Sequence, residues 1–217
     1  MTKQPLGTNP SKSVAHPPWV NPCNLPIYIS PTKESQPSVR DIYEKITRRA
    51  STTKGLSENI RQQFIKFLGD EDFESGVIDL RLEWLPEVQA IIEEFEQFEE
   101  PDALRKSFKY LQYFAVGLEQ INLDQVLHDG SLIDEFREIE DHLRQLLCEL
   151  QLGMWYREIS PEDHIGQEIM AQEYRDISDD SRRLIRDYLL VRDLSQLVDQ
   201  IKSLFLRLDS SIETTTL

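Results

Sequence analysis

The most regular alternation of apolar and polar positions lies in residues 131–158. Apolar side chains recur there at steps of three and four, and charged side chains fill the positions between them. This spacing predicts an α-helix with a single apolar stripe. The helix would hold about 28 residues and reach roughly 42 Å, so it needs partner helices of similar length. The stripe consists of Leu132, Ile133, Phe136, Ile139, Leu143, Leu146, Leu147, Leu150 and Met154.

Three other stretches show the same helical spacing, at residues 38–68, 102–126 and 179–208. Ser38 is a good N-cap for the first of them. The middle of that helix is weak, because Gly55 and two threonines could kink or interrupt it. The chain is therefore predicted to contain four long helices.

The connectors between these helices differ in length, and the difference bears on topology. The turn at 127–130 is short, which makes the second and third helices antiparallel neighbours. The first connector, 70–101, and the last, 159–178, are each long enough to cross the full length of a bundle. We therefore predict an all-α four-helix bundle of up-up-down-down topology, with long first and third connectors.

The ends of the chain have a different character. Eight of the eleven prolines fall in residues 1–37, and proline fixes φ and removes a backbone donor. We expect an extended leader, disordered at least to His16, in which the apolar residues of 19–29 lie on the body of the protein. The bundle would span 38–210, and the polar tail 211–217 would be disordered.

Composition narrows the classes of partner. The 217 residues are 39% hydrophobic and 29% charged, with a formal net charge of −15. Nucleic acids and anionic membrane surfaces both require a basic footprint, so neither is an expected partner. No stretch approaches the roughly 20 apolar residues of a transmembrane helix, so no membrane insertion is expected. The first residues are not a secretory signal peptide as written, which leaves a removed signal, unconventional export and an intracellular protein open.

Chemical motifs are sparse. Cys23 and Cys148 are the only cysteines, which permits one disulfide or two reduced thiols, and neither lies in a zinc-type pattern. No histidine stands three residues after a glutamate, as it does in di-iron bundles. The sequence also has no glycine-rich phosphate loop and no nucleophile elbow. We therefore predict that the protein is not an enzyme and holds neither a metal nor a cofactor.

Three short segments carry a resemblance to a known family. Asn-Pro-Cys-Asn-Leu at 21–25 lies just ahead of the first predicted helix, Leu-Leu-Cys-Glu-Leu at 146–150 lies near the end of the third, and Asp-Leu-Ser-Gln at 193–196 lies in the last. In order and placement they resemble segments of the long-chain four-helix-bundle cytokines, the family of leukaemia inhibitory factor and ciliary neurotrophic factor. A divergent unpaired-like ligand fits this resemblance as well.

The resemblance implies a disulfide between Cys23 and Cys148, because the corresponding cysteines of the family are bonded to each other. It also implies a secreted ligand that assembles single-pass, Janus-kinase-coupled receptors at the cell surface and performs no catalysis. We expect such a ligand to act as a monomer. One subgroup of the family is recognised through a Phe-x-x-Lys motif at the start of the last helix. That motif is absent here, since Ser181 and Leu184 occupy the two positions.

Candidate receptor contacts are taken from side chains of the types that dominate binding hot spots, together with their neighbours. For Trp84, Leu85 and Trp155 the alternative is packing across the bundle. For Arg182, Arg183 and Arg186 the alternative is a solvated face. The outer faces of the first and third helices are further candidate surfaces. The residues singled out are Trp84, Leu85, Trp155, Arg182, Arg183 and Arg186.

Two hypotheses of different classes follow. The first is a secreted cytokine-like ligand that bridges receptor chains through separate faces of one rigid bundle. The second is an intracellular helical adaptor or scaffold that packs its amphipathic helices against partner helices. The missing signal peptide and the lack of an Asn-x-Ser/Thr acceptor with a non-proline middle residue favour the second.

Overall fold

Every regular element in the part of the chain that the structure describes is helical. The computed structural model describes residues 17–25, 36–68 and 72–215, with side chains as far as residue 212. No strand occurs within these residues, so the predicted all-α class is confirmed. Among the described residues one 3-10 turn, Gln167–Ile169, accompanies the α-helices. These are α1 (Val39–Leu68), α2 (Phe73–Gly76), α3 (Val88–Phe95), α4 (Glu100–Leu127), α5 (Ile133–Tyr156), α6 (Gln172–Arg175) and α7 (Asp180–Thr215).

The long helices lie close to their predicted positions. α1 begins with the expected cap, because Ser38 Oγ accepts from the Asp41 backbone N–H at 3.1 Å and the Asp41 carboxylate accepts from the Ser38 N–H at 3.0 Å. The helix continues through Gly55 without interruption. α7 extends to Thr215, beyond the predicted end at Leu208. The predicted leader over 1–16, residues 26–35 and the last two tail residues lie outside the described residues.

α1 and α7 form the most extensive helix pair. Arg40 near the start of α1 pairs with Asp209 near the end of α7 at 3.3 Å, and Lys54 in the middle of α1 pairs with Asp199 at 3.0 Å. The partner's number falls as the α1 number rises, so the two helices are antiparallel. α1 also packs against α5, where the Phe64 ring lies 6.1 Å from a ring near the start of α5.

α4 packs against the same two helices, α5 and α7. Asn122 near the end of α4 donates to Glu140 of α5 at 2.7 Å, whereas Glu100 at the start of α4 accepts from Arg157, just after α5. These contacts make α4 and α5 antiparallel. Gly117 lies closest to α7, and a Cβ built there would meet Leu190 at 2.0 Å. The missing side chain therefore permits the close approach of these helices.

The first connector runs along the outer side of α7, and two arginines of α7 hold it. Arg192 donates to the backbone oxygens of Val77 and Leu80 at 3.1 and 2.9 Å. Arg207 donates to those of Phe95 and Phe98, at the end of α3, at 2.9 and 3.0 Å. A guanidinium at these carbonyls satisfies acceptors that the helix end leaves open.

The second connector runs along α4 in the same manner. Lys109 in the first half of α4 pairs with Glu162 at 2.7 Å, and the Gln112 side chain accepts from the Ile165 N–H at 2.7 Å. Two residues further along the connector, the Gln167 side chain donates to the Glu119 carboxylate of α4. The connector thus travels from the beginning of α4 towards its end.

The segment 17–25 is fixed to α5 by the disulfide Cys23–Cys148, whose Cα atoms lie 4.9 Å apart. The bond that the resemblance implied is therefore present. It joins positions 125 residues apart, and a cross-link over so long a loop stabilises the fold by about 5 kcal/mol in the chain-entropy model. Trp19 of the segment is buried, and its Nε1 donates to the Ile165 oxygen at 2.8 Å.

Candidate functional site

A cleft opens where α1 and α4 end and where α5 and α7 begin. Its volume is about 820 Å³. The lining mixes apolar side chains such as Phe67 and Leu132 with charged ones such as Lys66 and Asp180. A concave surface that combines apolar area with charges at its rim is the kind that binds a protein partner.

Phe67 is the most exposed large apolar side chain among the described residues that line this cleft, with 72% of its surface open to solvent. It lies on α1 one position before the last residue of the helix. The apolar stripe of α1 passes through Ile60 and Phe64, which are buried, and Phe67 continues the same spacing into the last turn of the helix, where it is exposed. Because Phe67 keeps the spacing of the buried stripe, the sequence carried no signal that this side chain would be exposed, and the sequence analysis did not single it out.

A cluster of buried charges borders the cleft. Arg186 of α7 is 2% exposed, and its guanidinium pairs with Asp124 of α4 at 2.8 Å and with Asp187 at 2.6 Å. Arg186 also donates to the Tyr174 backbone oxygen of α6 at 2.9 Å. One arginine therefore ties α4, the second connector and α7 together at this end of the molecule.

Burial dominates the electrostatics of this cluster. Loss of water raises the pKa of Asp187 to about 6, although the neighbouring Arg186 guanidinium acts in the opposite direction. Asp124 adds a second negative charge that also opposes ionisation of Asp187. Because two carboxylates share one guanidinium, the cluster depends on Arg186 remaining in place.

The structure does not form the predicted basic patch of Arg182, Arg183 and Arg186. Arg183 is buried and donates to the Ile177 oxygen at 2.5 Å, and Arg186 is buried in the cluster described above. Only Arg182 is exposed. The spacing places Arg186 on the same side of the helix as the other two, but Arg183 and Arg186 are buried against acceptors of other elements, which the spacing alone does not reveal. The interpretation of these arginines as one receptor-facing surface is therefore corrected.

Trp84 and Leu85 are also unsuited to the role of exposed anchors, because they are 7% and 8% exposed. Trp84 packs next to Gly117, where a Cβ would lie 2.8 Å from its ring. The packing alternative therefore describes both side chains. Trp155 is half-buried at the end of α5, with its ring 5.0 Å from that of Tyr156. It lies at the opposite end of α5 from the cleft, so the predicted contacts do not come together in one site.

Among the described residues, neither connector runs along the outer sides of α1 and of the first half of α5, although α2 contacts the second half of α1 through the Arg61–Glu74 pair at 3.0 Å. α1 shows Arg48, Thr52 and Gly55 to solvent, and α5 shows Arg137 and Glu138. α1 carries seven basic and three acidic residues, so it is a net positive helix in a chain of net charge −15. Four of its seven basic side chains pair with acids of other elements, so the exposed side of α1 carries charges of both signs.

The described residues contain no cluster of three or more His, Cys, Asp or Glu side chains that could hold a metal ion. Within the same residues, none of the helices has the length and apolar content that crossing a membrane requires. Comparison with protein-family models, with curated proteins and with solved structures found no match to this chain.

Proposed function

We propose that the four long helices form an up-up-down-down bundle. α1 and α4 each pack in antiparallel fashion against both α5 and α7, so α1 and α4 point the same way. The short turn between α4 and α5 and the two long connectors that return along the bundle support this arrangement. It is the topology of growth hormones and cytokines, although the topology alone does not define a function.

The function we propose is that of a secreted, monomeric, cytokine-like ligand that bridges two single-pass, Janus-kinase-coupled receptor chains. The observation that carries the proposal is the presence of two separate surfaces on one helical body. The first is the side of α1 and of the first half of α5 that is exposed among the described residues, and the second is the end cleft with Phe67 at 72% exposure. A bridging ligand requires two such surfaces, because each must bind a different receptor chain.

The disulfide supports an oxidising environment and so favours the ligand over an intracellular adaptor. A non-reducing peptide map of the protein from its producing cells distinguishes the two functions. The ligand predicts the Cys23–Cys148 cross-link in protein recovered from the medium. Protein confined to the lysate with two free thiols would favour the adaptor.

The direct test of the function is receptor activation. Purified, oxidised protein is added to cells of the producing organism, and Janus-kinase tyrosine phosphorylation is measured over minutes. The ligand predicts a dose-dependent rise that the heat-denatured protein does not produce. No rise in any tissue that binds the labelled protein at its surface would contradict the proposal.

Bridging makes a sharper prediction about variants that lose one surface. Arg48→Glu alters the α1 side, and Phe67→Ala alters the cleft. Each variant should still bind cells through its intact surface, fail to signal, and inhibit the wild-type protein competitively. Matched controls are Glu93→Lys and Leu206→Ala, which change exposed side chains away from both surfaces. If both surface variants signal as well as the controls do, bridging through these surfaces is wrong.

A further inference from the structure

The Cys23–Cys148 bond lies beside a small surface cleft rather than deep within the helical core. The cleft has a volume of about 290 Å³ and lies between the segment 17–25, α1 and α5, with both cysteines in its lining. Each cysteine is half-buried. An external thiol can therefore approach the disulfide without separating the long helices.

Two arginines lie in the lining of this cleft, and each has a carboxylate partner. Arg49 of α1 and Arg144 of α5 line it, opposed by Glu149. Arg49 lies 3.9 Å from Glu149, and Arg144, one helical turn before Cys148, pairs with Asp141 at 2.8 Å. Positive charge close to a sulfur stabilises the thiolate that leaves during thiol–disulfide exchange.

The bond holds a segment that has few other anchors. Within residues 17–25 the buried side chains are those of Trp19 and Pro22. Beyond the contact of Trp19 with Ile165, the segment is held by the Gln151 side chain of α5, which accepts from the Cys23 N–H at 3.1 Å and donates to Asn21 Oδ1 at 2.8 Å. The contacts among α1, α4, α5 and α7 do not pass through this segment, so the helices can remain packed without it.

We propose that Cys23–Cys148 is a thiol-exchange site, and that its reduction by an external dithiol releases the segment 17–25 from the helices. The thiolate of the dithiol attacks Cys23 Sγ, the S–S bond breaks, and Cys148 leaves as a thiolate beside Arg144. The second thiol of the reagent then displaces Cys23. The dithiol is oxidised to a disulfide, and its two protons and two electrons end on the two cysteines of the protein.

Release of the segment would uncover an apolar groove. Trp19 covers a site between α4 and α5 that is lined by Ala115, Leu143 and Leu147. Reduction would therefore change the surface of the α4–α5 pair while the four long helices stay folded. The site thus offers redox control over which surface the protein presents.

The first test measures how fast the native disulfide is reduced. The full oxidised chain is treated with dithiothreitol in a buffer without denaturant. The reaction is quenched with an alkylating reagent, and the mass of the protein is measured by mass spectrometry. Exchange at the folded surface predicts a rate that rises linearly with dithiothreitol. A rate that levels off at the rate of global unfolding would overturn the proposal.

Matched variants test the charge of the cleft. Arg144→Gln should lower the second-order rate constant roughly threefold, the change that a Brønsted coefficient of about 0.5 gives for a tenfold change in leaving-group stability. Arg137→Gln is the control, because Arg137 is an exposed arginine on the same helix that does not line the cleft. Equal rates for the two variants would overturn the role of Arg144.

Hydrogen exchange then tests the release. After reduction, peptides that cover 17–25 should lose protection, whereas those from α1, α4, α5 and α7 should keep it. Retained protection in 17–25 would overturn release of the segment. Loss of protection in every helix would overturn it too, because the bond would then support the whole fold.

Discussion

Three helical glycines provide a quantitative test of the packing. Gly55 is exposed on α1, and a Cβ built there meets nothing within 4 Å. At Gly117 on α4 the same atom would lie 2.0 Å from Leu190 and 2.8 Å from Trp84, both of which are buried. At Gly153 on α5 the nearest atoms, on two other helices, lie at 2.9 and 3.1 Å. The three sites share their secondary structure and differ in the space around them.

Replacement of each glycine by alanine should distinguish the effect of the surrounding space from the effect of helix propensity. Each change gains about 1 kcal/mol of helix stability, and only Gly55→Ala should keep that gain. Gly117→Ala must displace two buried side chains, and overpacking of this kind costs about 1–3 kcal/mol, so it should lower the free energy of unfolding by about 1 kcal/mol overall. Gly153→Ala should fall between the two, close to the wild type.

The assay is urea unfolding of the oxidised protein followed by far-ultraviolet circular dichroism. Gly55→Ala should raise the midpoint, and Gly117→Ala should lower it, with the slope unchanged in both. In thermal unfolding, a gain of about 1 kcal/mol corresponds to a rise in Tm of about 2–4 °C for a domain of this size. If Gly117→Ala proves as stable as Gly55→Ala, the close approach of α4 to α7 is wrong.

Three further predictions concern charged side chains of α7. Arg186→Ala leaves two buried carboxylates without their guanidinium and should lower the free energy of urea unfolding by about 3–5 kcal/mol, whereas the exposed control Arg182→Ala should change it by less than about 0.5 kcal/mol. Burial raises the pKa of Asp187 from 3.8 to about 6, so the folded state holds this proton more tightly and the carboxyl stabilises the fold more as pH falls from about 6 to about 4. The free energy of unfolding of the wild type relative to Asp187→Asn should therefore decrease as pH rises through that window, and a difference independent of pH would contradict the shift. Arg207→Ala should lower the free energy of unfolding by about 1 kcal/mol. It should also raise hydrogen exchange in α3, because the arginine holds the end of that helix against α7. Unchanged exchange in α3 would contradict this role.

Helix positions could be predicted from the sequence because each long helix buries its stripe over many turns. The helix expected at 131–158 is found as Ile133–Tyr156. α4 begins at Glu100, slightly earlier than expected, because Pro101 falls in the first turn of the helix. Proline is tolerated there, since its missing N–H would have no helical partner.

The candidate site was less predictable, and the arginines show why. The helical spacing of three and four residues distinguishes charged positions from apolar positions. It cannot show that a charged side chain pairs with a carboxylate of a helix that is distant in the sequence. Arg186 is buried because Asp124, more than sixty residues earlier, faces it across the α4–α7 interface. Trp84 is buried for a similar reason, since it needs the space that Gly117 leaves.

The connectors link the fold to the surfaces proposed for partners. Their lengths were readable in the sequence, but the helices that they follow depend on side-chain contacts such as those of Arg192 and Arg207 with backbone oxygens. By following α7 and α4, the connectors occupy the outer sides of those two helices, and among the described residues they leave much of the outer side of α1 and half of α5 exposed. A change that detaches a connector would therefore alter the available surface even if every helix remained intact. Under the proposed function, Arg207→Ala should release α3 from α7 and leave binding of a receptor through α1 unchanged.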